Sequence, residues 1–258
     1  QSQPHQSHSS DTPPPEAMAA VGSDGQPLIG QRRVCDEPPE VRAGFVTKVY
    51  GILTFQLFVT AAIAAPFVLS SALAGWVQTR GFPLVIAVSL LNVIFLFAMT
   101  CPCGCEKNLR KFPTNYLLLG GFTASEGFLV GVCCAQYSVS SVATAVVCTG
   151  VLAGGLSVYA AVTKTDFTSL GPFLFAGLMV LVFFGFFLLF VPSPLAQKIC
   201  CCLGILIFSF YLIFDTQLIT GGGQCSLGID DYVFGALQLY IDIIQIFLYI
   251  LQLFGNRE

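Results

Sequence analysis

The chain has 258 residues, 55% of them hydrophobic and 10% charged, with a mean hydropathy of +0.80. Soluble domains carry about 25% charged residues, so the composition excludes a soluble globule and specifies a polytopic membrane protein. The formal net charge of −3 leaves no basic footprint for nucleic acid. Both histidines, His5 and His8, lie in the polar N-terminal stretch. Without imidazole in the apolar part, intramembrane Ser/His hydrolysis, zinc-protease sites and His-box di-iron sites are excluded.

Residues 1–40 are polar and hold seven of the fourteen prolines, including Pro13, Pro14 and Pro15. They cannot bury enough apolar surface to order themselves, which predicts a disordered cytosolic tail. A second reading makes the tail a ligand for proline-reading adaptor domains, and so a route to protein partners. The chain opens on Gln1 with no secretory signal, which predicts a processed or partial form.

Residues 41–258 then form one membrane domain. Seven apolar segments, each near the ~20 residues that cross a bilayer, are expected at 49–74, 84–100, 115–135, 139–162, 171–191, 197–220 and 232–254. The loops between them are short, which predicts an all-α bundle. Gly120, Gly121, Gly154, Gly155, Gly177 and Gly185 are expected to let helices approach closely.

With alternating spans, Arg32, Arg33, Arg42, Lys48, Lys107, Arg110, Lys111 and Lys164 collect on the N-terminal side. Arg80, Lys198 and Arg257 collect on the other. The excess places the N-terminus in the cytosol. Whether 232–254 crosses the membrane or dips in and returns is left open.

The last two segments carry Asp215 and Asp242. An ionised carboxylate at the bilayer centre costs roughly 3 kcal/mol or more. Asp215 lies about five residues from the end of its segment, roughly 8 Å deep, and Asp242 about ten residues into the next, roughly 15 Å deep. The two carboxyls can therefore meet in the cytosolic half. Two carboxylates in contact share a proton rather than both ionise. They also offer hard oxygen ligands to calcium. The plain alternative is a hydrogen-bonded pair that only joins two helices.

Gln238, Asp242, Gln245 and Tyr249 recur at helical spacing and form a polar stripe, which faces protein or water rather than lipid. They are candidate pore-lining residues. Glu126 is a third acidic residue in a span. It either lines the same cavity or is neutral and bonded to Thr123 or Ser125. Gln56 and Thr60 read as interhelical hydrogen-bond donors.

The cysteines form two clusters, Cys101/Cys103/Cys105 and Cys200–Cys202. They fall on opposite membrane faces, so one zinc site cannot use both. Palmitoylation of Cys101, Cys103 and Cys105, beside Lys107, Arg110 and Lys111, is the better reading of the first cluster. Cys133, Cys134 and Cys148 are expected to be inert packing residues.

These motifs resemble a family. Val41–Tyr50 with Gln56-Leu57, Thr163–Thr168, Phe214–Gln217 and Asp231–Phe247 are similar to the lifeguard branch of the transmembrane Bax inhibitor motif proteins. Phe214 stands where the family more often has Tyr. The resemblance runs from about residue 41 to the end and is most specific in the last forty residues.

It implies a seven-helix bundle with a central C-terminal helix. It also implies a pH-sensitive calcium leak across an intracellular membrane, endoplasmic reticulum or Golgi, and suppression of cell death. The family's aspartate dyad falls on Asp215 and Asp242. Calcium enters as a permeant or weakly held ion, with no tightly bound cofactor and no enzymatic activity.

Two other functions compete. A non-conducting scaffold would regulate partner channels or death receptors through residues 1–40. A di-aspartyl intramembrane protease would use Asp215 and Asp242. However, Gly-x-Gly-Asp is missing around Asp242, where the chain reads Tyr240-Ile-Asp-Ile243.

Overall fold

The computed structural model describes residues 33–100, 113–223 and 227–256. Several of the helices begin or end at a residue suited to a helix terminus. Helix α1 (Pro39–Leu69) starts with proline, whose missing N–H costs nothing there. Ser70 then caps the short α2 (Ser71–Thr79) by accepting from the Leu73 N–H. Helix α3 is Phe82–Thr100 and α4 is Thr114–Cys134. Ser138 caps α5 (Val139–Val162) through the Ser141 N–H. Helix α6 (Gly171–Phe190) carries proline in its first turn. Ser193 caps α7 (Pro194–Thr220), and Gly221, at φ 78°, closes its other end. Helix α8 is Tyr232–Phe254.

Seven of these, all but α2, are long and apolar enough to cross a membrane. The fold is an all-α polytopic membrane bundle. Large apolar side chains such as Phe173, Val151 and Leu189 are about three-quarters exposed, as hydrocarbon-facing residues should be.

Six of the expected spans agree with the helices to within a few residues. The first does not. It was expected at 49–74, but α1 begins ten residues earlier and stops at Leu69, with α2 separate. The Ser70 hydroxyl starts a new helix there, while Pro66 in the last turn withholds a backbone donor. The polar start of α1 carries Glu40, Arg42 and Lys48, so periodic hydropathy alone misses it.

The tail boundary at 40 also changes. Residues 33–40 are folded against the bundle. Val34 is fully buried and its N–H donates to the Leu227 carbonyl at 3.0 Å. Arg33 bridges Gly228. The earlier part of the tail, with His5 and His8, and the cysteines at 101, 103 and 105 lie outside the described residues.

Helix α8 is the central element. It packs against α1, α4, α5 and α7, and Leu237, Leu239, Tyr240, Ile246 and Leu251 are fully buried. Helices α3 and α6 sit outside, on α4 and α7 respectively. The α8 axis settles the open point about the last segment. Its 23 residues run about 34 Å without a break. The loop leading into it pairs with Val34 through the Leu227 carbonyl, and the helix ends beside the α5 N-terminus, where Asn256 N–H donates to Ser141 Oγ at 3.0 Å and its carbonyl accepts from the Ser138 N–H at 3.1 Å. It therefore crosses fully and ends on the face opposite Pro39.

Of the glycines expected to let helices approach, Gly121 does so, since a Cβ there would stand 2.7 Å from the Phe95 ring of α3. Gly120, Gly154, Gly155 and Gly185 face open space. A close approach that was not expected joins α1 to α4, where a Cβ at Gly131 would stand 3.1 Å from the Ala64 backbone and 2.7 Å from the Phe67 ring.

Candidate functional site

Asp215 and Asp242 meet across the α7–α8 interface. Their side chains are 3% and 4% exposed, and the carboxyls lie close enough to interact directly. Two acids that close favour sharing one proton over both ionising. Gln238, one turn before Asp242, donates its Nε2–H to Asp215 Oδ1 at 3.3 Å. Asp242 Oδ2 is buried with no hydrogen-bond partner, as is the Thr216 hydroxyl beside Asp215. No cationic side chain among the described residues supports either carboxyl. Tyr211, one turn before Asp215, lies near both acids. Sequence reasoning missed Tyr211, although its spacing of four from Asp215 on α7 was a usable signal.

The α8 stripe faces α7 along its length. Its two ends do different things. Gln238 reaches Asp215, whereas Tyr249 lies about 16 Å further along the helix. There the Tyr249 ring packs over Gly204 and against Phe208 at a centroid distance of 6.1 Å. Tyr249 thus fills space between helices and does not reach the acid pair. Gln245, between them, is half-buried.

Glu126 occupies a separate cluster on the other side of α8. Asn92 Nδ2 of α3 donates to Glu126 Oε2 and to Ser125 Oγ, each at 3.0 Å. Thr123 is taken by Gln56, whose Nε2–H donates to it at 3.1 Å. The Thr60 and Tyr240 hydroxyls bond at 2.7 Å. Tyr240 and Asp242 are two residues apart, which is about 200° around a helix, so they look in opposite directions. Glu126 therefore neither joins the acid pair nor binds Thr123. Its partner is Asn92, the one buried residue of α3 among those described. Nothing in the local sequence marked Asn92, because an isolated amide in an apolar span does not say which helix it will meet. Gln56 and Thr60 do bridge helices, as expected.

The cytosolic end of α7, in the expected orientation, is held by the loop 163–168. Gln217 accepts from the Phe167 N–H and donates to the Thr165 carbonyl, both at 2.8 Å. Asp166 Oδ1 accepts from the Thr168 N–H at 2.8 Å and its hydroxyl at 2.6 Å. Gly223, at φ 58°, lies against these two side chains where a Cβ would collide with both.

Cys134, Cys200 and Cys201 are buried. Cys148 is exposed on α5 rather than packed inside, which corrects its expected role. Among the described residues, no group of three or more His, Cys, Asp or Glu could hold a metal.

With this geometry in hand, comparison with known proteins gives the family. A family model described as an inhibitor of apoptosis-promoting Bax1 matches residues 42–258. The chain belongs to the Bax inhibitor family. Within it, the chain is 37% identical to Protein LIFEGUARD 3 of Arabidopsis thaliana, covering 83% of this chain and 85% of that one. It is 36% identical to Protein LIFEGUARD 4 of the same plant, covering 86% and 88%. It is 32% identical to Protein lifeguard 3 of Homo sapiens, covering 95% and 82%. The Bax inhibitor match starts within α1 and takes in every helix of the bundle, both aspartates and the Gln217 clamp.

Proposed function

We propose that this Bax inhibitor family protein is a proton-sensitive calcium leak, controlled by the Asp215–Asp242 pair, in an endoplasmic reticulum or Golgi membrane. The observation that carries the reading is the contact between two buried carboxyls with no cation beside them. With one proton bound, the pair bridges α7 and α8 and its charge is −1. Losing that proton puts two like charges together in a low-dielectric interior. The pair then either separates or takes up a cation. Calcium suits it because it favours carboxylate and amide oxygens, and Gln238 adds an amide to the two acids. Protons and calcium compete for the same oxygens, so acid weakens calcium binding.

On this reading, lifeguard-type suppression of cell death follows from setting the calcium content of the organelle, and the protein acts without catalysis. The N-terminus lies in the cytosol, where the tail engages protein partners and Cys101, Cys103 and Cys105 carry palmitate. The test is calcium efflux from liposomes holding the purified protein, measured across pH 5–8. Wild-type flux should depend on pH, and Asp215→Asn and Asp242→Asn should each flatten that dependence. Unchanged flux and pH response in both variants would remove the proposal.

A further inference from the structure

A second feature of the bundle is a slot between α1 and α5. Both helices pack closely on α8 and make no comparable contact with each other. The gap between them is a cavity of about 450 Å³. Its walls are Ala61 and Ala65 of α1 and Ala143 and Val146 of α5, and Ile243 and Phe247 of α8 form part of its floor. All four wall residues are exposed. Side chains this small leave the gap unfilled, so the slot opens sideways toward whatever surrounds the bundle. In a chain of seven membrane-crossing helices, that surrounding is hydrocarbon.

We propose that this slot binds one acyl chain of a bilayer phospholipid, seated against the central helix. The dimensions select that occupant. The slot runs from Leu69 and Val139, at helix ends on one face, to Leu57 and Gly150 inside. At 1.5 Å per residue this is ~17 Å, slightly over half of the ~30 Å hydrocarbon core. The slot is therefore as deep as one leaflet. Its lining along that depth is almost wholly aliphatic and it opens sideways, which fits an extended acyl chain lying along the helices of one leaflet. An apolar cavity this large does not stay empty beside lipid, since a cavity of about a third this size already binds small apolar molecules.

Thr149 gives the slot a chemical marker. It lies at the inner end, is 4% exposed, and its hydroxyl has no hydrogen-bond partner. A plain hydrocarbon leaves that hydroxyl unpaired, while an oxygen-bearing apolar molecule seated oxygen-inward would pair with it. The two occupants therefore respond oppositely to Thr149→Val. The bound chain touches Ile243, next to Asp242 in sequence, so bilayer lipid reaches the helix that carries one acid of the pair. The proposal does not depend on the leak, because binding is measured directly.

The experiment uses the full chain in phosphatidylcholine nanodiscs, with a photoreactive diazirine midway along one acyl chain. After irradiation, labelled positions are mapped by mass spectrometry. The expected result is label on the α8 stretch holding Ile243 and Phe247, which is otherwise enclosed by protein. The label should fall several-fold in Ala65→Trp and in Ala143→Trp, which narrow the slot from opposite walls. Label on the outward face of α6, at Phe183 and Phe187, should stay constant. Thr149→Val should leave the α8 label equal or stronger. The wild-type map decides the matter even if neither tryptophan variant folds. Absence of label on α8, its persistence in both folded tryptophan variants, or its loss in Thr149→Val would overturn the assignment.

Discussion

Gln238 reaches across from α8 to donate its side-chain amide to Asp215 on α7, one turn before Asp242 completes the acid pair. The amide fixes the orientation of one carboxyl while leaving Asp242 Oδ2 free. Gln238→Leu should therefore separate packing from titration. Removing the donor leaves a buried acceptor unpaired and should cost about 1–3 kcal/mol of stability. It should also move the pH at which flux responds, because Asp215 loses a hydrogen bond that its charged form uses. A thermal unfolding series in detergent and the liposome pH profile check the two parts. A stability loss with an unmoved pH profile would show that Gln238 only packs.

Competition between protons and calcium has a defined sign. Acid fills the acid-pair oxygens with protons and should lower the apparent calcium affinity. Raising the pH should restore it. Calorimetric or fluorescence titrations with calcium at two pH values measure this. Both aspartate-to-asparagine variants should bind calcium more weakly and with less dependence on pH.

Tyr249 and Gly204 form a steric pair at the other end of the α7–α8 interface. A Cβ at position 204 would stand about 2.5 Å from the ring, so Gly204→Ala requires the tyrosine to move. Overpacking of this kind costs about 1–3 kcal/mol. Tyr249→Leu should relieve most of that cost in the double variant, giving a coupling that a double-mutant cycle in thermal unfolding would detect. Additive losses would place the strain elsewhere.

Asn92 is expected to fasten α3 to the bundle. Asn92→Leu removes the donor shared by Glu126 and Ser125 and leaves a carboxyl without it, at a cost of about 1–3 kcal/mol. Adding Glu126→Leu should recover part of the loss, since two apolar partners of similar shape replace a broken polar pair. Because Glu126 sits on the far side of α8 from the acid pair, the double variant should retain the pH response of the leak.

The Gln217 clamp predicts a local rather than global effect. Gln217→Ala removes both bonds that hold the loop 163–168. Amide exchange in that loop should quicken clearly, while exchange in α8 stays slow. Uniform acceleration across the bundle would mean that the clamp supports the whole fold.

The sequence by itself determined the number of spans, the enclosed stripe on α8 and the two acids worth examining. Those follow from local rules: a bilayer admits ~20-residue apolar helices, and it makes buried charge costly. Sequence could also say that Asp215 and Asp242 lie in the same half of the membrane, because rise per residue is fixed. Only the tertiary structure decided what each polar group meets. Asn92, Gln56 and Glu126 carry no mark of their partners, since partner choice depends on how α1, α3 and α4 rotate against one another. The rotation of α8 sends Asp242 toward α7 and Tyr240 toward α1 and α4, so residues two apart enter different clusters. The folding of residues 33–40 and the slot between α1 and α5 were equally invisible. Each arises from contacts, or from a missing contact, between segments far apart in the chain.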